Sequence, residues 1–304
     1  MSPFTDALIL TGCTGSGKTA LALDLAETLN AEIIALDSMT VYKGMNIGTA
    51  KPTWAEQDLV KHHLIDVLEP HESANVAWWL EKATAACEDI QARGKRPLFV
   101  GGTPMYLKAL LYGLFESPPV DDAIRLRLEE EAAVIGPEAF HAKLAAVDAV
   151  AAGKIHPNNV RRVVRAMEVY EATGQPISTL QLTWDQPPAA IPAVMLDWPR
   201  EVLNDRIDQR VTLMMEAGWL CECERLKKVT MSSEARQAVG YDVIFSYLRG
   251  ERFEPDLDLI RQRTRQFAKR QLTWFRKLPV TPVDAGKPDT IDHVLHSFLV
   301  RAKS

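Results

Sequence analysis

The 304-residue sequence is poor in cysteine and has no long apolar run. Its four cysteines, Cys13, Cys87, Cys221 and Cys223, include no Cys-x-x-Cys pair, and no His-x-His cluster accompanies them. A disulfide scaffold is excluded, a zinc site lacks ligands, and the four read as reduced thiols. No stretch approaches the roughly 18 consecutive apolar residues that a membrane helix needs. The apolar run Ala7–Leu10 is too brief for a signal peptide. No membrane partner is expected, and the chain reads as cytoplasmic. Positive charge is not in excess either. With 35 Lys+Arg against 40 Asp+Glu the net charge is −5, which argues against a surface that holds nucleic acid all over. There is no internal repeat and no low-complexity tract.

What remains is the composition of an ordinary globular protein, 47% hydrophobic and 25% charged. At roughly 150 residues per domain the length allows two domains, or one with an insertion. Ala7–Thr11, Glu32–Leu36 and Pro97–Val100 are short apolar runs of the kind buried on both faces of a parallel sheet. Helical periods cover Lys18–Leu29 and Val76–Arg93. Alternating strands and helices predict an α/β parallel sheet. Between Ser117-Pro118-Pro119 and Pro187-Pro188 only helical patterns occur, at Asp122–Ile135, Pro137–Ala146 and Val160–Thr173. Bracketing proline pairs suggest an inserted helical subdomain. Ala193–Leu196 reads as a returning strand, followed by helices that include Glu201–Ala217 and Asp256–Lys277, a short strand Val280–Val283 and a terminal helix. The expected organisation is a P-loop NTPase-like α/β core over 1–116 and 190–304, interrupted by an all-helical subdomain over 117–189.

The segment Gly12-Cys13-Thr14-Gly15-Ser16-Gly17-Lys18-Thr19 satisfies G-x-x-x-x-G-K-[ST] between a strand and a helix. Its glycines let successive backbone N–H groups turn around an oxyanion, and the helix adds its positive end. Lys18 supplies a mobile charge and Thr19 a magnesium ligand. A di- or triphosphate fits; the motif does not say which. An ATPase or GTPase normally ends a later strand in a magnesium-holding Asp, but Pro97–Val100 runs into Gly101-Gly102-Thr103. Asp37 ends the second strand, at the sheet edge where ligands bind. A carboxylate near phosphates suits a base that takes a proton from an acceptor nucleophile.

Basic charge is concentrated. Asp256–Lys277 carries seven basic and two acidic residues, with Leu257, Ile260, Thr264, Phe267, Gln271, Trp274 and Leu278 in one helical stripe. Arg261, Arg265, Lys269 and Arg276 fall away from it, and Arg263, Arg270 and Lys277 flank it. Arg161, Arg162 and Arg165 oppose the apolar face of Val160–Thr173. Two such clusters beside a phosphate loop suggest a polyanionic partner. Trp78-Trp79 sits at helical spacing and reads as core.

These segments together resemble the tRNA dimethylallyltransferase (tRNA isopentenyltransferase) family over roughly residues 7 to 277. The matching stretches are Gly12–Thr19, Asp37–Pro52, His62–Asp66, Gly101–Thr103, Ile155–Asn158, Arg161–Arg165, Val239–Tyr241 and Lys269–Arg276; the blocks Asp37–Pro52 and Lys269–Arg276 are the most specific. The resemblance implies transfer of a dimethylallyl group from dimethylallyl diphosphate to N6 of the adenosine just 3′ of a tRNA anticodon, with Mg²⁺. The phosphate loop would hold the leaving diphosphate and Thr19 the metal. Asp37 would be the base. Lys18, Thr19, Thr103 and Arg210 would stabilise the departing charge. The adenine, flipped out of its stack, would be read around Asp37, Ser38, Met39, Thr40 and Thr103. Arg125, Arg161, Arg162, Arg165, Arg236, Gln237, Gly240, Tyr241, Lys269, Arg270, Gln271, Thr273, Trp274 and Arg276 would contact tRNA. A monomer is expected.

The chain departs from the family in Pro104-Met105, where Gly-Leu is frequent, and in Thr40, where Gln is frequent. The absence of C-terminal zinc-finger cysteines points to the bacterial form. Two other readings of the residues stay open: a small-molecule transferase or kinase with Asp37 as base, and a nucleotide-switched binding module.

Overall fold

Leu8–Gly12 (β1) is buried along its whole length, and so is Ala31–Ala35 (β2). Lys18–Thr28 (α1) connects them, followed by Trp54–Leu59 (α2), the two-residue strand His62–His63 (β3), Val76–Ala92 (α3), Arg96–Gly101 (β4) and Pro104–Tyr112 (α4). Then come Asp122–Ile135 (α5), Pro137–Val147 (α6), Ala149–Lys154 (α7), Val160–Thr173 (α8) and Ile177–Leu180 (α9). Ala193–Asp197 (β5), Arg200–Glu216 (α10), Trp219–Leu226 (α11), Tyr241–Leu248 (α12), Leu257–Phe275 (α13), Thr281–Asp284 (β6) and Thr290–Arg301 (α14) complete the order. The computed structural model describes residues 3, 4, 6–114, 122–181 and 190–301. The expected domain boundaries and both proline pairs lie outside the described residues.

All six strands pair in parallel, in the order β3-β2-β4-β1-β5-β6. Burial on both faces explains the unbroken apolar runs. Leu8, Leu10, Ile33, Leu98, Val194 and Leu196 pack with Leu25 of α1 and with Val294 and Phe298 of α14. Trp79, fully buried, stacks on Tyr106 with centroids 4.4 Å apart and donates its indole N–H to Ala35 O at 3.0 Å. Glu32, buried on β2, is held by Arg93, Lys95 and His63. Among the described residues no helix is long and apolar enough to cross a membrane.

The chain divides into two compact units, Met1–Leu111 with Ala189–Ser304, and Tyr112–Pro188. In the second, Leu128, Phe140, Leu144, Val163, Val164 and Met167 form a core of their own. There Arg125 and Arg165 both pair with the buried carboxylate of Glu168, at 3.0 and 3.1 Å. Two positive charges thus face one internal acid. Arg161 and Arg162 point outward.

The stripe on α13 also needs correction. Its buried residues are Ile260, Thr264, Ala268, Gln271 and Phe275. Phe267, Trp274 and Leu278 lie on the flank, because the expected steps average about 3.5 residues and drift around a helix of about 3.6 residues per turn. Three of its arginines are tied down as well. Arg265 reaches both oxygens of Asp208, at 2.5 and 2.6 Å. Arg263 pairs with Asp242, and Arg261 with Asp258 and the Thr212 hydroxyl. Lys269, Arg270, Arg276 and Lys277 are exposed.

Candidate active site

Three strand ends meet at one edge of the sheet, the edge that binds ligands in open α/β folds. β1 runs into the phosphate loop, where a Cβ on Gly12 would lie 2.7 Å from Ser16 Oγ. Lys18 Nζ donates to the carbonyls of Gly12 and Cys13, both at 2.8 Å. β2 leads, two residues beyond its end, to Asp37, whose Oδ1 accepts the Met39 N–H at 2.8 Å. β4 ends at Gly101-Gly102-Thr103, and Pro104 starts α4. Thr103 donates its N–H to Leu36 O at 3.1 Å.

α10 closes the loop from the other side. Arg210 donates to the Thr14 hydroxyl, and its buried Nε has no partner among the described residues. Arg206, one turn earlier, donates Nε–H to Gly15 O at 2.9 Å and lies 4.4 Å over the Trp198 ring. Trp198 gives its indole N–H to Ser16 O at 3.0 Å. Gln271 of α13 accepts the Thr14 N–H at 2.9 Å and donates to Gly102 O at 2.6 Å.

These parts surround one cavity of about 830 Å³. Its polar lining includes residues Thr14 to Thr19, Asp37, Ser38, Thr40, Thr103, Arg210, Gln237, Arg270 and Gln271. Its apolar lining includes Ile33, Ala35, Val100, Val211, Met214 and Phe267. Burial raises the Asp37 pKa above the usual carboxylate range, against the Met39 N–H and the Lys18 charge, which pull it down. Desolvation lowers Lys18 to about 8, with Cys13 and Asp37 opposing the shift. The Thr40 hydroxyl is buried and has no partner among the described residues.

Not every candidate lies here. Arg236, Lys269, Thr273, Trp274 and Arg276 do not line the cavity. Arg125, Arg161, Arg162 and Arg165 belong to the second unit. Tyr241 and Gly240, expected to meet RNA, are packed into the core. Tyr241 is 1% exposed and gives its hydroxyl to Glu222 at 2.6 Å, and a Cβ on Gly240 would lie 2.4 Å from the Trp219 ring. Gln271, also expected to meet RNA, lines the cavity with its buried amide engaged at both ends.

Three residues escaped sequence reasoning. Glu222 is buried and accepts the N–H groups of Asn46 and Ile47 at 2.8 Å and of Gly48 at 3.2 Å. It thereby holds a turn of the Asp37–Pro52 block whose Gly48, Thr49 and Ala50 line the cavity. No sequence signal marks it. Arg206 was legible as the partner of Arg210, one helical turn away on the same face. Trp198, just after a strand end, had only its position. All four cysteines are free thiols, and Cys221 alone is exposed.

A phosphate loop and a buried carboxylate sharing one cavity with an apolar wall define a P-loop protein built for group transfer. Comparison with known sequences is specific. The profile described as IPP transferase matches residues 40–278, and one described as isopentenyl transferase matches 5–67. A tRNA dimethylallyltransferase of Bacillus velezensis is 45% identical over 291 residues, covering 94% of this chain and 92% of that one. One of Acetivibrio thermocellus is 44% identical over 279 residues, covering 90% and 89%. The crystal structure of the full-length tRNA isopentenylpyrophosphate transferase of Bacillus halodurans is 36% identical, with TM-score 0.69 and 98% of both chains covered. A eukaryotic dimethylallyltransferase, described as acting on tRNA, superposes with TM-score 0.79 at 28% identity, covering 97% of this chain and 77% of that one. The chain belongs to the IPP transferase family, that of the tRNA dimethylallyltransferases.

Proposed function

We propose that this protein transfers a dimethylallyl group from dimethylallyl diphosphate to N6 of the adenosine just 3′ of a tRNA anticodon, releasing diphosphate. The observation that carries the reading is the shared cavity: phosphate loop, Asp37 and an apolar wall open into one space. The loop N–H groups and Lys18 receive the diphosphate, and the apolar wall excludes water from the prenyl group. Asp37 takes the proton that the exocyclic amine loses as the new C–N bond forms. Its raised pKa makes it a stronger base than an exposed carboxylate. Lys18, Thr103 and Arg210 stabilise the charge that collects on the departing diphosphate. A buried guanidinium nitrogen without a partner supports that role for Arg210, since such groups need an acceptor.

Mg²⁺ fits the donor set. Among the described residues no group of three or more His, Cys, Asp or Glu could hold a metal. The ion would take Thr19 and otherwise diphosphate and water oxygens, a set Mg²⁺ favours. Bound there, it supplies neutralisation of the leaving group. The exposed Lys269, Arg270, Arg276, Arg161, Arg162 and Arg236 are basic side chains that would meet tRNA phosphates. The protein acts as a cytoplasmic monomer in this reading.

The test is incubation with dimethylallyl diphosphate, Mg²⁺ and unmodified tRNA, followed by mass analysis of the nucleosides. N6-isopentenyladenosine in the tRNA is expected. Equal turnover on free adenosine monophosphate would shift the reading to a small-molecule transferase.

A further inference from the structure

Gln271 occupies an unusual place for a residue on a basic helix. It is 4% exposed, and its amide bridges two parts of the active site: Oε1 accepts the Thr14 N–H at 2.9 Å, and Nε2 donates to Gly102 O at 2.6 Å. The seat is tight. A Cβ on Gly102 would fall 2.8 Å from that Nε2. On the same helix, Ala268 and Leu272 share a small apolar cluster with Cys13 of the phosphate loop. The loop is therefore gripped by α13 through both packing and hydrogen bonds.

The two residues before it on α13 face outward. Lys269 and Arg270 are exposed and make no ion pair among the described residues, while Arg270 also lines the cavity. A phosphate-loop N–H is a natural donor to a diphosphate oxygen. Thr14 gives that N–H to Gln271, so an incoming diphosphate competes with Gln271 for it. A displacement of α13 that lengthens and bends this hydrogen bond changes the outcome, because hydrogen bonds weaken steeply with misalignment.

We propose that Gln271 is a positioning residue that links the two substrates: RNA phosphates on Lys269 and Arg270 draw α13 outward, Gln271 releases the Thr14 N–H, and the diphosphate then binds more tightly. The inference rests on the tRNA-prenylating function proposed above. Linkage makes the effect reciprocal, so diphosphate also tightens RNA binding. The two arrangements of the Thr14 N–H, on Gln271 or on the diphosphate, are the two states that both ligands bias.

Calorimetric titration of the full chain with inorganic diphosphate and Mg²⁺, with and without saturating unmodified tRNA, measures the linkage. In the wild type, tRNA should lower the diphosphate Kd by at least about fivefold. Gln271→Met, which keeps the volume and loses both hydrogen bonds, should reduce that shift below about twofold while binding diphosphate alone at least as tightly as the wild type. A single cooperative unfolding transition, with Tm lowered no further than two lost buried hydrogen bonds require, separates this from misfolding. Equal wild-type affinity with and without tRNA overturns the inference without any variant, and so does a full shift retained in Gln271→Met. The transfer assay run alongside keeps the two readings apart: tRNA that is prenylated without linkage sinks only this inference, whereas tRNA neither bound nor prenylated sinks the function as well.

Discussion

Thr103 Oγ1 accepts the backbone N–H of Ser38 at 3.0 Å. The turn after β4 is thus fastened to the turn that carries Asp37, and Thr103 itself lines the cavity. Thr103→Val keeps the shape and loses that acceptor. A lost hydrogen bond of about 1 kcal/mol corresponds to a five- to tenfold fall in kcat/KM. Thr103→Ser should restore most of it, and steady-state kinetics on the two variants decides the point.

Asp37 is the one carboxylate among the cavity's inner residues whose pKa burial raises. Asp37→Asn preserves size but cannot accept the amine proton. Prenyl transfer should drop by about 10²- to 10⁴-fold while diphosphate affinity is kept or improved. Single-turnover assays beside binding titrations check this, and near-wild-type transfer removes Asp37 from the chemistry.

The same two charges set a pH profile. Asp37 works deprotonated, so the rate climbs with pH on the acid side through a pKa above the ordinary carboxylate range. Lys18 works as the ammonium, and its pKa is lowered to about 8, so kcat/KM for the prenyl diphosphate should fall as pH rises past that value. In kcat the alkaline limb should move upward, because bound diphosphate favours the charged lysine. Lys18→Arg should abolish the limb near 8. A limb that survives in this variant assigns it to another group.

Ion pairing divides the arginines of α13 into two sets. Removing exposed Lys269 and Arg270 together should flatten the dependence of log K for tRNA on log salt by about 1.5 to 2, one phosphate contact each. Removing Arg263 and Arg265, which are paired with Asp242 and Asp208, should change that slope little. Filter binding across a salt series distinguishes them. Equal effects would mean that the paired arginines also meet RNA.

Glu222 and Gly48 are predicted to matter for stability. Glu222→Ala strands three backbone N–H groups, at roughly 3 kcal/mol or more in total. Gly48→Ala places a Cβ 2.1 Å from Trp219 Nε1, an overpacking cost of about 1 to 3 kcal/mol. Denaturant melts measure both; a midpoint within error of wild type for either would contradict the packing described.

Elements with a clean local period were legible. β1, β2 and β4 follow from apolar runs, α5 and α8 from their spacing, and the phosphate loop from eight consecutive residues. β3 was invisible because two residues have no period; pairing with Ile33 and Ile34 makes it a strand. The site's polar frame was hidden for a related reason. Glu222 meets Asn46 across 176 positions and Gln271 meets Thr14 across 257, distances at which neither propensity nor periodicity carries information. Charge on a wheel likewise shows where arginines point along one helix, not which acids of α10 and α12 await them.

Cysteine placement supplies an experimental handle. With Cys13, Cys87 and Cys223 buried and Cys221 exposed, a maleimide dye should label the native chain at a single position. That position is adjacent to Glu222, which anchors the Asn46–Gly48 turn. One conjugation, with no engineered residue, would place a dye beside the residue that anchors part of the cavity lining.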